Sequence, residues 1–351
     1  MNNQINRTYY FDYLRILSTF AVIVLHVAAQ PIYKSPIATF NWNVLNTYDS
    51  LVRWCVPIFV MISGSLFLSK DFTLKNLLLK YSLRIVTAFS FWSAAYVLYD
   101  ILTSTKKMTK VEIIGSFIKG EYHLWFCFMI VGLYLLVPFL RKIVSDDKLT
   151  RYFLILGFIF VFLNPQLLEF VSYISKDLRV YVNSALNKVN MNFVCGYVFY
   201  FVAGYYINKT DLSKSLRLVI YLLGIIGTAV TIYLTAKDSI EAGKLITVHY
   251  KYLSLNVLAA AIALFVFAKY NLNIAPASDK FKIFISKISK YSFGAYLVHI
   301  IIMQVLRDLD IFALTFNPIL CVPLVSLIIF IISMCISAII NNIPFVKKYI
   351  V

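Results

Sequence analysis

YLRILSTFAVIVLHVAA, residues 13–29, is the first of a series of long apolar runs, and it contains two ionisable side chains, Arg15 and His26. Eleven positions separate them. At 3.6 residues per turn that is about three full turns, so both project from nearly one helix face, roughly 16 Å apart along the axis. A run of this polarity reads as a membrane-spanning helix. Ionisable groups inside such a helix are costly unless they face protein or a water-filled cavity, so the face carrying Arg15 and His26 is expected to be functional.

The rest of the chain has the same character. Of its 351 residues, 61% are hydrophobic and 14% charged, with a mean hydropathy of +0.79. That excludes a water-soluble globule, whose apolar share is about half. Ten apolar stretches recur, near residues 10–31, 50–69, 83–103, 123–141, 152–172, 192–208, 216–236, 252–269, 290–307 and 314–341. Nothing alternates with the period of a barrel strand, and a spanning chain must satisfy its own backbone hydrogen bonds. The expected fold is therefore all-α, a polytopic membrane bundle of about ten transmembrane helices. Residues 1–351 are expected to form a single integral membrane domain, multi-pass in the cell membrane. Asp12 and Arg15 interrupt what would be the apolar part of a signal peptide, so the first run is expected to stay with the chain.

The formal net charge is +17, but the cations are scattered over short loops and do not form a patch that suits nucleic acid. They read as topology. With the N-terminus in the cytoplasm, the cytoplasmic segments hold 20 Lys and Arg and the outer segments 12, which predicts an N-in, C-in arrangement. Cys55, Cys127, Cys195, Cys321 and Cys335 all fall in predicted spans without metal-ligand spacing, and four histidines sit in four separate segments, so no metal is expected. The sequence has no Gly-x-x-x-x-Gly-Lys phosphate loop, His-Glu-x-x-His zinc helix or Gly-x-Ser-x-Gly elbow.

Under this topology Arg15 lies in the inner leaflet and His26 deep in the membrane or beyond its midplane. Asp12 shares the Arg15 face. A guanidinium fork suits an anionic phosphate ligand and an imidazole suits a general base, although snorkelling and a helix–helix hydrogen bond account equally well for either residue alone. Lys75, Lys80 and Arg84 form a second cluster at the cytoplasmic start of the third span, suited to phosphates or to a plain positive-inside anchor. Residues 121–126, EYHLWF, open the fourth span at the outer surface. Tyr122 and Trp125 fit an interfacial aromatic belt, whereas Glu121 and His123 make an acid–imidazole pair suited to orienting an acceptor hydroxyl. In residues 56–68, VPIFVMISGSLFL, the small residues Ser63, Gly64 and Ser65 allow close backbone approach. Arg53 needs Asp49, another carboxylate or water. His299 falls near mid-membrane, and His249 in a loop where it is expected to be solvated.

These residues resemble the acyltransferase 3 family of integral membrane acyltransferases. Arg15 and His26 match an Arg-x10-His signature in a first helix. Val56 to Leu68 resembles the family's second helix, and His123-Leu124-Trp125-Phe126 with Leu133-Tyr134 and Pro138 its fourth. Tyr291 to His299, including Tyr296, resembles a Ser-Phe-Gly-x-Tyr-Leu-x-His segment near the end. The chain departs where many members have two arginines three apart before the third helix: Tyr81 stands three before Arg84, and Leu77 three before Lys80. The resemblance implies an O-acyltransferase of the stand-alone form, similar to bacterial surface-polysaccharide O-acetyltransferases. Its donor is acyl-CoA, commonly acetyl-CoA, acting as a cytoplasmic cosubstrate with no bound cofactor. Its acceptor is a glycan or lipid-linked glycan at the outer face.

The resemblance, taken together with the chemistry and placement of the residues themselves, gives the expected roles. Arg15, Lys80 and Arg84 hold acyl-CoA. His26, Glu121 and His123 are the catalytic set, and Asp12, Ser63, Trp125, Tyr296 and His299 support them. Two other classes fit a multispan chain with intramembrane charges: a transporter or flippase of an acylated glycan, which moves substrate without releasing CoA, and a sensor, which binds without turnover.

Overall fold

A computed structural model describes residues 8–104, 108–188, 196–272, 278–344 and 346–350, and no strand occurs among them. Its principal helices are α1 (Tyr9–Ile32), α2 (Phe40–Leu51), α3 (Cys55–Leu68) and α4 (Leu74–Thr103), then α5 (Lys110–Lys119), α6 (Trp125–Val144), α7 (Asp147–Val171) and α8 (Lys176–Asn187). They continue as α9 (Val198–Lys209), α10 (Lys214–Ala242), α11 (Leu255–Phe267), α12 (Asp279–Ser289), α13 (Ser292–Asp308) and α14 (Pro318–Asn342).

Eight segments among the described residues are long and apolar enough to cross a membrane, and they coincide with eight of the ten expected stretches. The stretches at 192–208 and 290–307 become α9 and α13, of 12 and 17 residues. Both are buried over most of their length, so protein covers them where a lipid-facing helix would need a longer apolar surface. Cys195 lies outside the described residues. The second stretch also begins earlier than hydropathy suggests. Residues 40–51 are helical, with Asn46, Asp49 and Ser50 buried on partners that a hydropathy window does not register.

Side-chain polarity runs opposite to that of a soluble bundle. On α10, Gly224, Gly227, Thr231, Thr235 and Ser239 are buried, while Leu218, Leu222, Ile225 and Tyr233 are exposed. On α14, Ser326, Ser333 and Ser337 are buried, while Leu320, Leu324 and Ile331 face outward. Small and hydroxylated residues facing protein, with large aliphatic residues outside, is the pattern of helices packed within lipid. The chain is an all-α polytopic membrane bundle.

Two compact units make up the chain, and the division falls inside α6 after Leu136. The first comprises 1–35, 72–136 and 276–351. Within it α1 packs on α12, α13 and α14; α13 also packs on α14 and α4, and α5 lies against α4. A capping box starts α5: the Thr109 hydroxyl accepts from Glu112 N at 3.2 Å, and the Glu112 carboxylate accepts from Thr109 N at 2.7 Å. Gly120 ends it at φ +69, the left-handed region that favours glycine.

The second unit comprises 36–71 and 137–275. Here α3 packs on α9 and α10 on α11. A Cβ on Gly64 would overlap the Phe201 carbonyl, and one on Gly204 would overlap the Met61 backbone, so α3 and α9 meet backbone to backbone. Arg53 forms an ion pair with buried Asp49, and its guanidinium lies 4.1 Å from the centre of the Tyr250 ring. The Tyr250 hydroxyl donates to Asn46 Oδ1 at 2.6 Å, and Asn46 Nδ2 donates to the Ile232 carbonyl at 3.0 Å. His249, expected to be solvated, is instead 2.7 Å from Asp238 Oδ2 and only 12% exposed. Its position in a short helical turn folds it back onto α10.

Candidate active site

Three of the four histidines converge in the first unit. His26 on α1 lies with its ring centre 5.3 Å from that of His299 on α13, the rings tilted by 30°, and 6.4 Å from His123. His123 and His299 are 5.0 Å apart at 79°. His123 sits in the single turn Tyr122–Leu124 between Gly120 and α6. That turn needs the positive φ of Gly120, and a Cβ there would come within 2.6 Å of the Phe89 ring. His299 is fully buried and His123 nearly so, whereas His26 is partly exposed. His26 therefore forms the accessible edge of the cluster.

Hydrogen bonds fix how the two inner imidazoles are presented. His299 Nδ1 donates to the Tyr296 carbonyl at 2.6 Å, so its unprotonated nitrogen is Nε2. The Tyr296 hydroxyl donates to the His123 carbonyl and ties α13 to the turn. The Tyr96 hydroxyl on α4 donates to the Leu297 carbonyl at 2.9 Å, which leaves its oxygen as the acceptor facing His123 Nε2 at 3.5 Å. His123 thus carries its hydrogen on Nε2 and its lone pair on Nδ1. His123 Nδ1 and His299 Nε2 are both buried with no hydrogen-bond partner.

Tyr122, 46% exposed, borders the cluster, with its ring 5.2 Å from that of His26. Arg307 Nη1 lies 3.5 Å from Gln30 Oε1 on the same side. The nitrogens of His123 face Tyr96 and the buried cluster, and Glu121, two residues earlier, interacts electrostatically with Tyr96 and Tyr122 beside it. Burial raises the Glu121 carboxyl above the ordinary carboxylate range, and nearby Asp100 pushes in the same direction. Trp125 is 37% exposed, as a belt residue would be.

At the opposite end of α1, Arg15 Nη1 lies 3.2 Å from Oδ1 of buried Asp12, which holds the guanidinium on the face shared with His26. Arg84 is exposed on α4 and interacts electrostatically with Tyr134. Lys80 is exposed in a π-helical turn, Leu77–Ser82, with Nζ 5.5 Å from the Tyr81 ring centre. Ser63 belongs to the second unit, and its hydroxyl donates to the Phe59 carbonyl at 2.9 Å. Ten of the eleven expected site residues thus fall in one unit, Ser63 being the exception. Tyr96 was not singled out by sequence; it is one of 25 tyrosines, and only the fold sets it beside His123. Among the described residues no group of three or more His, Cys, Asp and Glu side chains has the arrangement of a metal site.

The family model described as an acyltransferase domain, Acyl_transf_3, matches residues 8–341. No curated protein and no solved structure matches the chain. With nearly its whole length matched, and with eight apolar segments of spanning length among the described residues, the chain belongs to the acyltransferase 3 family of membrane acyltransferases.

Proposed function

We propose that the protein transfers an acyl group, acetyl or its nearest substitute succinyl, from cytoplasmic acyl-CoA to a hydroxyl of a glycan or lipid-linked glycan at the outer face. Both termini lie in the cytoplasm in this reading. The observation that carries it is one helix with two functional ends: Arg15 braced by Asp12, and about 16 Å further on His26 within a histidine cluster. An extended pantetheine arm spans such a distance. Arg15, with Arg84 and Lys80, binds the CoA phosphates, and the thioester is delivered to His26. Tyr122 and Glu121 hold the acceptor at the outer mouth.

The acceptor hydroxyl oxygen attacks the thioester carbonyl while its proton passes to His26. The C–S bond then breaks, and the departing CoA sulfur takes a proton to leave as the thiol. No external acid or base is consumed. Removing a general base costs about 10²–10⁴-fold in rate.

Purified protein in liposomes, given acetyl-CoA and lipid-linked glycan, is expected to release free CoA. His26→Ala, recovered folded, is expected to lose that turnover by at least about 10²-fold. Wild-type protein inactive with every common acyl-CoA would overturn the reading and favour transport of an acylated glycan.

A further inference from the structure

We propose that His299 is the proton-accepting partner of His26: its Nε2 receives the proton that His26 removes from the acceptor hydroxyl and stores it until the CoA sulfur departs. This rests on the acyl-transfer reading above and adds a residue and a step to it.

Three observations carry it. His299 Nδ1 is committed to the Tyr296 carbonyl at 2.6 Å, so the free lone pair belongs to Nε2, which is fully buried and has no partner. An acceptor left unsatisfied in a protein interior is destabilising, and here it is a basic nitrogen beside the accessible histidine. The His299 ring is stacked at 5.3 Å on His26, the accessible member of the cluster. His123 supplies a second buried lone pair, Nδ1, on a ring 5.0 Å from His299, so a proton held in the cluster has two imidazoles to stabilise it.

Acyl transfer from a thioester to an alcohol neither consumes nor releases a proton overall, but the proton leaves the alcohol before or as the sulfur needs it. The hydroxyl O–H bond breaks and His26 gains the hydrogen. Rotation of the His26 ring brings one of its nitrogens onto the unpartnered His299 Nε2 and the hydrogen passes across, which makes His299 an imidazolium with Nδ1–H still on the Tyr296 carbonyl. The hydrogen returns through His26 to the CoA sulfur as the C–S bond breaks. His26 is thereby restored as a base between the two halves of the reaction.

The test compares wild type with His299→Asn and His299→Gln in the liposome assay. An Asn amide occupies the place of Nδ1 and can still donate to the Tyr296 carbonyl, but neither amide accepts a proton. The expected result is folded His299→Asn protein with unchanged KM for acetyl-CoA and acceptor, kcat lowered by about 10²-fold or more, and a solvent deuterium isotope effect that loses its multi-proton component. His299→Gln gives the same kcat loss, and either variant decides the matter if the other fails to fold. Wild-type kcat and isotope effect in His299→Asn overturn the relay while leaving acyl transfer intact. Absence of acyl-CoA turnover in the wild type overturns both.

Discussion

Arg15 and His26 belong to one helix, so their relation follows from helical period alone and is legible in the sequence. The joining of His26 with His123 and His299 is not. It depends on α1, α13 and the turn after Gly120 meeting in space, and no local pattern encodes those contacts. Glu121 and His123 illustrate the converse. Two residues apart, they read as a pair, but side chains at that spacing do not face one another in a helical turn. The raised carboxyl of Glu121 gives a test that separates its role from its effect on stability. In the folded chain Glu121 holds its proton to higher pH than in the unfolded chain, so ionising it costs stability as pH rises through the raised value, and below the ordinary range both states are protonated. Glu121→Gln is expected to melt above wild type at pH 7 and with it below about pH 4. Its acyl transfer is expected to fall about tenfold or more through loss of an acceptor contact. Thermal melts in detergent across pH, with CoA release on the same samples, check both halves.

At the scale of elements, hydropathy found the helices that lipid covers and misjudged those that protein covers. The polar length of α2 is buried on Asn46, Asp49 and their partners, and α9 and α13 are shorter than a lipid-facing span. Gly64 was visible as a small residue, but its counterpart Gly204 was not, because close approach is a property of two helices together. Gly204→Ala drives a methyl into the Met61 backbone and is expected to cost about 1–3 kcal/mol. The unfolding midpoint in mild detergent should drop accordingly. An unchanged midpoint would mean that α3 and α9 do not pack through this glycine pair.

For the molecule as a whole, composition alone placed the chain in a membrane, and outward-facing aliphatic side chains with inward hydroxyls on α10 and α14 bear this out. The excess of Lys and Arg on one set of loops, 20 against 12, is the basis for the proposed orientation, with the N-terminus in the cytoplasm, Arg15 toward the donor and His26 toward the acceptor. The proposed transfer across the bilayer is directly measurable. Protein is sealed in liposomes in one orientation, with acetyl-CoA carrying a labelled acetyl group confined to the side of the N-terminus and glycan acceptor confined to the other. Label is expected on the acceptor hydroxyl in the distal compartment, with free CoA retained on the donor side and neither formed by His26→Ala. Label reaching the acceptor only when donor and acceptor share one compartment would contradict transfer through the helix that carries Arg15 and His26.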